Sequence, residues 1–488
     1  MHARRLLAAA ALSALATVPA LADTATSEGA KALGGSLAAY FGQSVLDRGI
    51  VAVAPKGDAY EVTLDAQPAL DALKLAPDSL RIGRWSFLVA PAADGKWKVN
   101  SESFPNISLH LLLPQGELTE AITVDAPHLD GLYDPRLGAF ESFRNSFDAI
   151  GVTGKVQGMD LDLRMSQLLV ESHGAAAGDE AVTIGLHQTI KSMVETLKME
   201  APAKPGAPAM PPINITYDFG ASTGDATLEA VRAKGLLGLW AFLVAEGAEG
   251  MAEHQDELKG KLRATLPLWK NLKASAQVAD FAARTPFGTF AMKSLAETLG
   301  LSGLTQQGSA EFGFKIDGLS LASPLLPSWS SLLVPSALDL DLSVSVADVD
   351  KIAALMIDDF DLKADPPLSE AAQAGIAATL LTGEPKLRIA PGHLVSPSYA
   401  LAFEGEFNLA SPKPTGRITI EAEGLDKTLA GLKEAGKSDA RAQQAAASIA
   451  FATGLAKPGA DGKLVWAIDF GPDGVPTING QGLGPPAK

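Results

Sequence analysis

Long runs of alternating apolar and polar residues constrain the fold of this chain more than any other feature. In "GMDLDLRMS", Leu161, Leu163 and Met165 occupy every second position and charged residues lie between them. The run "ALDLDLSVSVADVD", which begins at Ala337, repeats the pattern over a longer stretch. A period of two is typical of a strand with one buried and one solvated face. The sequence therefore predicts long antiparallel strands, each with one apolar side.

Turn and helix signals interrupt these runs. Asp94-Gly95 lies between two alternating segments and is typical of a type I′ or bulged hairpin turn. We also predict eight helices, at residues 29–48, 138–148, 187–199, 224–272, 289–299, 369–382, 425–436 and 438–456. The predicted fold class is α+β, with long twisted antiparallel β-sheets that form meanders, are packed by helices and belong to an elongated, groove-forming fold.

The first residues, "MHARRLLAAAALSALATVPALA", have the layout of a secretory signal peptide. Arg4 and Arg5 supply the positive charge, an apolar stretch follows, and small residues ending at Ala22 predict cleavage before Asp23. The apolar stretch is too short to span a hydrocarbon core of about 30 Å. We therefore predict that residues 1–22 are a signal peptide and that the mature protein is periplasmic and without an integral membrane segment.

Charge and cysteine content exclude several functions. The chain has no cysteine, so it has no thiol nucleophile, disulfide, cysteine zinc site or acylated N-terminal cysteine. Loss of residues 1–22 removes two of the 40 basic residues and none of the 56 acidic ones, which lowers the formal net charge from −16 to −18. Such a charge argues against nucleic acid and against anionic phospholipid headgroups as electrostatic partners.

A proline-rich segment, "EAPAKPGAPAMPPIN" at residues 200–214, is the clearest break in composition. Its prolines favour a stiff, extended connector rather than a helix or a strand. Two interpretations remain open, an interdomain linker and a long surface loop within one elongated fold. In either case it separates an N-terminal α+β region, 23–199, from a C-terminal α+β region, 215–488.

The segment "GLLGLWAFLVA", residues 235–245, carries no charged side chain. As a helix it would extend only about 16 Å, and Lys234 and Glu246 flank it, so it does not predict a transmembrane span. The favoured interpretation is a helix buried on more than one side. The alternatives are a contact with a partner or membrane surface, and an apolar groove for a lipid tail lined by Leu236, Leu239, Trp240, Phe242 and Leu243.

Motifs for catalysis, metal binding and cofactor binding are absent from the sequence. None of the 7 histidines belongs to an H-x-H or H-E-x-x-H motif, and there is no G-x-S-x-G, Walker or dinucleotide-binding motif. The cluster "DAPHLDGLYD", from Asp125 to Asp134, lacks the EF-hand pattern and favours a plain turn. In "DVDKIAALMIDDFD", helix capping explains Asp348. We predict no catalytic residue, no metal site and no cofactor.

Several C-terminal segments together resemble a known family. They are "TPFGTFAMKSLAETLGLSGLTQQGSAEFGFKIDGLSL", "SPLLPSWSSLLVPSALDLDLSVSVADVDKIAALM", "GRITIEAEGLDKTLAGL" and "DGKLVWAIDFGPDGVPTINGQGLG", which cover most of residues 275–488. Their order resembles a Gram-negative periplasmic family catalogued as domain of unknown function 2125. That family is more distantly similar to AsmA-type envelope proteins. The resemblance implies elongated, curved β-sheets that form apolar grooves for lipid, and it implies no catalytic residue. AsmA-type proteins often carry an N-terminal transmembrane helix. The cleavable signal peptide predicted for this chain differs from that arrangement.

These observations lead to one main expectation and one alternative. The main expectation is a soluble, periplasmic, non-enzymatic protein that binds or handles a hydrophobic envelope molecule such as a lipid. The alternative is a periplasmic scaffold or interaction protein with a closed core and no ligand, whose protein partner the sequence does not identify. An open apolar surface of more than a few hundred Å² would favour the first, because ordinary monomers rarely expose one.

Overall fold

A computed structural model of the chain describes residues 25–72, 79–113, 116–156, 159–178, 180–199, 212–410, 413–459, 462–472 and 474–482. Within these ranges the α-helices are α1 (Ser27–Phe41), α2 (Gln43–Asp47), α3 (Gln67–Ala72), α4 (Ala233–Glu253), α5 (Gln255–Thr265), α6 (Val349–Asp359), α7 (Glu370–Thr382), α8 (Leu425–Ala435) and α9 (Ala440–Gly454). The predicted signal peptide, with Ala22 and Asp23, lies outside the described residues and stays a prediction.

Strands make up most of the remaining described chain. They are β1 (Val51–Lys56), β2 (Ala59–Leu64), β3 (Leu80–Ile82), β4 (Trp85–Pro91), β5 (Trp97–Ser101), β6 (Ile107–Leu113), β7 (Gly116–Asp125), β8 (His128–Asp134), β9 (Ala139–Val156), β10 (Met159–Ala176), β11 (Val182–Met199), β12 (Ile213–Phe219), β13 (Ser222–Val231), β14 (Asn271–Thr285), β15 (Gly288–Ser302), β16 (Gln307–Asp317), β17 (Ser320–Ala322), β18 (Ala337–Ala347), β19 (Lys386–Val395), β20 (Ala400–Asn408), β21 (Thr415–Glu423), β22 (Lys457–Pro458), β23 (Leu464–Phe470), β24 (Pro476–Ile478) and β25 (Gln481–Gly482).

The predicted α+β class is confirmed, but several of the predicted helices are wrong. Residues 139–148, 187–199 and 289–299 are strands, and the predicted helix 224–272 begins as strand β13 before α4 starts at Ala233. The segment "MVETLKM" at the end of β11 is rich in good helix formers. It nevertheless pairs with β10 on one side and β12 on the other. Intrinsic helix propensity is a weak preference that such two-sided pairing overrides.

The hairpin turn at Asp94-Gly95 is confirmed. Both residues have left-handed backbone conformations, with φ values of 59° and 72°, and β4 and β5 pair on either side of them. Positive φ at two successive residues is what a type I′ turn requires, and Asp and Gly tolerate it better than most residues. This turn fixes the register in which Val89 faces Val99.

Two compact units make up the chain. Unit 1 contains residues 1–271 and 357–368, and unit 2 contains residues 272–356 and 369–488. The short segment 357–368 belongs to unit 1 because it contacts α5. Arg263 forms an ion pair of 2.6 Å with Asp358, and the backbone N–H of Leu362 donates to the side chain of Gln255 over 3.0 Å.

Of the proline-rich segment, the structure describes only residues 212–214. Met199 and Ile213, which flank the rest, are cross-strand partners in adjacent antiparallel strands of unit 1. The predicted division placed these two strands in different regions of the chain. Their pairing joins the two flanking strands in one sheet, while the domain bounds given from sequence stay a prediction.

Unit 1 has its main hydrophobic core beneath α1. Thr26 caps this helix by accepting a hydrogen bond of 3.0 Å from the N–H of Gly29. The apolar side of α1 packs against β1, β2, β4, β5 and β8. The most deeply buried side chains of this cluster are Leu33, Leu37, Val62, Val89, Trp97, Val99 and Tyr133. Removing these large side chains from water makes this cluster a closed core.

Unit 2 combines an antiparallel meander with a small helical cluster. The strands pair in the order β15, β16, β18, β19, β20, β21, β23 and β24. Leu432 of α8 is fully buried against Ala442 and Ala446 of α9. Asp439 caps α9, and the indole N–H of Trp329 donates to its carboxylate over 3.0 Å. The hydrogen bonds from Trp329 and Arg441 hold the pKa of Asp439 at about 2.

None of the helices within the described ranges combines the length and the hydropathy that a membrane crossing requires.

Candidate functional site

The sheet of unit 2 has one face built almost entirely from apolar side chains, which we call the unit 2 apolar face. Cross-strand pairing places its residues in rows, because directly opposite residues lie on the same side of a sheet. Three rows define the face: Leu295, Ile316, Leu338, Leu394, Leu401, Ala422 and Leu464; Leu299, Phe312, Leu342, Ile389, Gly405, Ile418 and Ile468; and Leu301, Ala310, Val344, Leu387, Phe407, Gly416 and Phe470.

Solvent reaches most of the unit 2 apolar face. Ala422 is the buried member of its three rows, and the other side chains are half-buried or exposed. Phe312 and Leu299, which are paired across β15 and β16, are 43% and 39% exposed. Leu432 in the helical cluster of the same unit is, by contrast, fully buried. The face therefore differs from a closed core, although its composition is that of one.

The opposite face of the same sheet is polar and carries ion pairs between neighbouring strands. Lys315 lies 3.2 Å from Asp339, and Arg417 lies 2.5 Å from Asp469. Exposed pairs of this kind contribute little stability, but they show that this face is adapted to water. The apolar character of the sheet is thus confined to one side, as the alternation in the sequence predicts.

An open cleft of about 580 Å³ lies at one end of the unit 2 apolar face. Its lining includes Leu387, Phe407 and Phe470, which belong to one row of the face, and Lys413. The rings of Phe407 and Phe470 lie 5.4 Å apart between centroids, with Gly416 between them in the row. A Cβ atom at Gly416 would lie 2.6 Å from a ring carbon of Phe407. This glycine therefore lets the two rings approach each other. The volume is in the range of small-molecule sites.

Unit 1 has a second surface of this type, the unit 1 apolar face. It lies on the distal halves of the long strands, which are residues 149–156 of β9, 159–166 of β10 and 192–199 of β11. Its rows cross β6, β7, β9, β10, β11 and β12. Two of them are Val124, Ile150, Met165, Met193 and Phe219, and Ile107, Ile122, Val152, Leu163, Glu195 and Tyr217. All of these side chains are half-buried. The residues that alternate with them, such as Asp160, Asp162 and Thr196, are mostly polar.

The long strands of unit 1 change the side on which their apolar residues lie near Gln167. Gln167 has a left-handed backbone conformation, with a φ of 49°, which is uncommon for a residue with a side chain. Beyond it, Phe147 and Leu168 are cross-strand partners, and both lie on the opposite side of the sheet from Ile150 and Met165. Phe147 is buried. The proximal halves of the strands thus contribute to the interior and the distal halves form the unit 1 apolar face.

Helix α4 contains the apolar segment 235–245, and it is packed on several sides. Leu237 and Ala241 contact the core beneath α1, and Leu236 contacts a second buried cluster that includes Val182 and Val231. A Cβ atom at Gly235 would lie 3.0 Å from the side chain of Thr265 in α5. This arrangement is that of a helix enclosed by neighbouring elements rather than exposed on all sides.

The five side chains predicted to line a groove on α4 differ in their surroundings. Phe242 is buried, with the ammonium of Lys261 5.3 Å from the centre of its ring. Trp240 is 48% exposed, yet its indole N–H donates to the backbone carbonyl of Tyr40 over 2.9 Å. Leu236, Leu239 and Leu243 are half-buried. A groove on these residues stays a prediction.

The acidic clusters form turns and ion pairs. The predicted turn in "DAPHLDGLYD" is confined to Ala126-Pro127, where Ala126 has a positive φ of 46°, and the rest of it, including Asp130-Gly131, is strand β8. His128 lies 2.5 Å from Glu102. Asp348, just before α6, forms an ion pair of 2.9 Å with Lys351. In the part of the chain that the structure describes, no group of three or more acidic or histidine side chains is arranged to hold a metal ion.

Sequence reasoning found the alternating strands but missed the rows that they form together. The segments "ALAFEGEF" and "GRITIEAE" carry the same pattern as β18, and this pattern could have identified Phe403 and Ile418 as residues of one face. Strand order and register, which join separate runs into a surface, are not visible in one sequence. Comparison with family models, curated proteins and solved structures gave no match, so the geometry alone carries the functional argument.

Proposed function

We propose that this protein binds a hydrophobic molecule with a long aliphatic chain, such as a lipid, along its apolar sheet faces. The observation that supports this most is the unit 2 apolar face, with three rows of aliphatic and aromatic residues of which all but Ala422 are half-buried or exposed. Contiguous exposed apolar patches of more than a few hundred Å² are rare on monomeric proteins and often mark binding surfaces. The cleft beside Phe407 and Phe470 provides one end of the binding surface.

The energetics favour an aliphatic ligand. Burial of apolar surface contributes about 25 cal/mol per Å², and half-exposed side chains such as Phe312 and Leu299 still have surface to bury. The three rows contain no hydrogen-bonding side chain, and the row between the first two adds one carboxylate, that of Glu297 opposite Phe314. A polar ligand would lose its hydrogen bonds to water there without replacement, whereas an acyl chain has none to lose.

The proposal extends to location and family. We propose a soluble, non-enzymatic protein that reaches the periplasm through the signal peptide at residues 1–22 and that is related to the family of domain of unknown function 2125 and, more distantly, to AsmA-type proteins. An apolar groove formed by β-sheets is what that resemblance implies. The alternative, a scaffold with a closed core, has less support because the unit 2 apolar face is not enclosed as Leu432 is.

Native mass spectrometry of the protein purified from its own periplasm, with organic extraction of bound molecules, tests the proposal. We expect a stoichiometric lipid adduct. A bare protein mass that persists after incubation with added phospholipid or fatty acid would overturn lipid binding and favour the scaffold.

A pair of neighbouring substitutions locates the site. Val344→Glu places a charge on the unit 2 apolar face, and Ser345→Glu places the same charge on the polar face one residue away. Both native side chains are exposed, so neither change should prevent folding. We expect at least a tenfold loss of lipid adduct for V344E and none for S345E. Equal adducts in the two variants would place the ligand elsewhere.

A further inference from the structure

A pocket of about 520 Å³ opens on the sheet of unit 1, over neighbouring parts of β9, β10, β11 and β13. We call it the unit 1 polar pocket, because most of the side chains on its side of the sheet are polar. They include Ser146 and Asp148 of β9, Gln167 of β10, and Thr189 and Lys191 of β11. Its volume is in the range of small-molecule sites.

The unit 1 polar pocket adjoins the unit 1 apolar face. Residues two positions apart in a strand lie on the same side of a sheet. Asp148 of the pocket is therefore on the side of Ile150, and Lys191 is on the side of Met193. From Ile150 the apolar face continues along β9 to Val156, over about 20 Å. A ligand with one polar and one aliphatic end would meet matching surfaces in a line along the strands.

Two charges of the unit 1 polar pocket differ from the charges around it. The surrounding charged side chains form ion pairs with one another: Arg144 with Glu171, His187 with Asp225, and His128 with Glu102. Among the described residues, neither Asp148 nor Lys191 has a partner for its side chain in an ion pair or a hydrogen bond. These two side chains are therefore available to a ligand.

Gln167 separates the two charges. It lies on β10, between β9 and β11, at the position opposite both Asp148 and Lys191. Neighbouring strands are about 4.8 Å apart, so the backbones that carry the two charges are separated by about 10 Å. All three side chains are exposed. The pocket therefore presents a carboxylate and an ammonium group at the two ends of one row, and these two charges sum to zero.

We propose that the unit 1 polar pocket binds the headgroup of a zwitterionic phospholipid, in which a phosphate is joined to an ammonium group. Lys191 and the hydroxyl of Thr189, two residues away on β11, donate hydrogen bonds to the phosphate. Asp148 and the hydroxyl of Ser146, two residues away on β9, accept hydrogen bonds from the ammonium group. The acyl chains extend over the unit 1 apolar face.

Headgroups of other charge fit the pocket less well. An anionic headgroup offers Asp148 no ammonium group and adds negative charge to a chain whose formal net charge is −16. An uncharged headgroup offers neither Asp148 nor Lys191 a counter-charge. The headgroup site rests on the proposed function, because its ligand is a lipid, and it specifies the class of lipid.

Isothermal titration calorimetry of the full mature protein with short-chain lipids tests the site. Dihexanoyl phosphatidylethanolamine carries both charges of the headgroup, and dihexanoyl phosphatidylglycerol carries the phosphate alone. Their short chains bury little apolar surface, so the headgroup determines the difference in affinity. We expect the native protein to bind the phosphatidylethanolamine about tenfold more tightly, because it gains a charge-assisted hydrogen bond.

Substitution of either charge should change this preference. Lys191→Glu should weaken phosphatidylethanolamine binding at least tenfold through loss of the phosphate contact. Asp148→Lys should reverse the preference, so that phosphatidylglycerol binds more tightly. Lys198→Glu makes the same charge change as K191E on the other side of β11 and should keep the native preference, as should Val344→Glu on unit 2. All four native side chains are exposed, so none of these changes should prevent folding.

Equal affinities of the native protein for the two short-chain lipids, or no binding of either, would overturn the headgroup site. So would a native preference in D148K, or a loss of the preference in K198E or V344E. The proposed function fails on a different measurement, the absence of any long-chain lipid adduct in native mass spectra. The two failures are therefore distinguishable.

Discussion

A comparison of two leucine-to-alanine substitutions in unit 2 tests whether the unit 2 apolar face is open. Leu432 is fully buried between α8 and α9, and Leu299 on the face is 39% exposed. Removal of a fully buried leucine side chain costs 2–5 kcal/mol, because a cavity adds to the lost transfer free energy. Leu299→Ala leaves no closed cavity and loses only part of that transfer free energy, about 1 kcal/mol.

These costs convert to shifts of the unfolding temperature. For a unit of about 200 residues, 1 kcal/mol corresponds to about 2–4 °C. We therefore expect calorimetry to show a decrease of about 6–12 °C for L432A, taking a cost of about 3 kcal/mol, and of about 2–4 °C for L299A. Saturating lipid should raise the native midpoint by mass action. L299A should lose part of that rise and L432A should keep it. An equal decrease for both variants without lipid would refute an open face.

Two further predictions concern Asp439 and Trp240. Because the pKa of Asp439 is lowered to about 2 in the folded protein, its ionised form stabilises the helical cluster above about pH 4, and this contribution is lost as the pH falls towards 2. Asp439→Asn should therefore lower the unfolding temperature of unit 2 at neutral pH but not near pH 2, and a difference that persists at low pH would contradict this. Trp240→Phe should lower the free energy of unfolding of unit 1 by about 1 kcal/mol, through loss of the hydrogen bond to Tyr40. It should leave the lipid adduct in native mass spectra unchanged, whereas loss of the adduct would favour the groove on α4.

The sequence predicted the structure best where a single period of apolar and polar residues dominated. The alternation around Leu161 and Leu342 predicted strands with one apolar side, and the Asp94-Gly95 turn was correctly placed. Helix prediction failed at 187–199 and 289–299, because Met, Leu, Glu and Lys favour helices while strand pairing on both sides determines the structure.

For the candidate site, the sequence predicted the individual strands but not the surface that they form together. Leu299, Phe312 and Leu342 lie far apart in the sequence, and the pairing of β15, β16 and β18 places them side by side. One sequence contains no information on that register beyond the alternation itself. The uniformly apolar segment on α4 is visible in the sequence instead, because it is continuous in the chain. The sequence therefore predicted a groove on a helix, whereas the unit 2 apolar face is distributed over seven strands.

The composition of the unit 2 apolar face also restricts its ligand. A sheet with water on both sides would be expected to carry polar residues on both faces. One face of this sheet does, as the ion pairs of Lys315 and Arg417 show. The other side instead keeps apolar residues in successive rows, although few of them are buried well enough to stabilise the fold as Leu432 does. A peptide on such a surface would leave its N–H and C=O groups without side-chain partners. An aliphatic chain needs none, which is why we favour an acyl chain over a protein segment as the occupant.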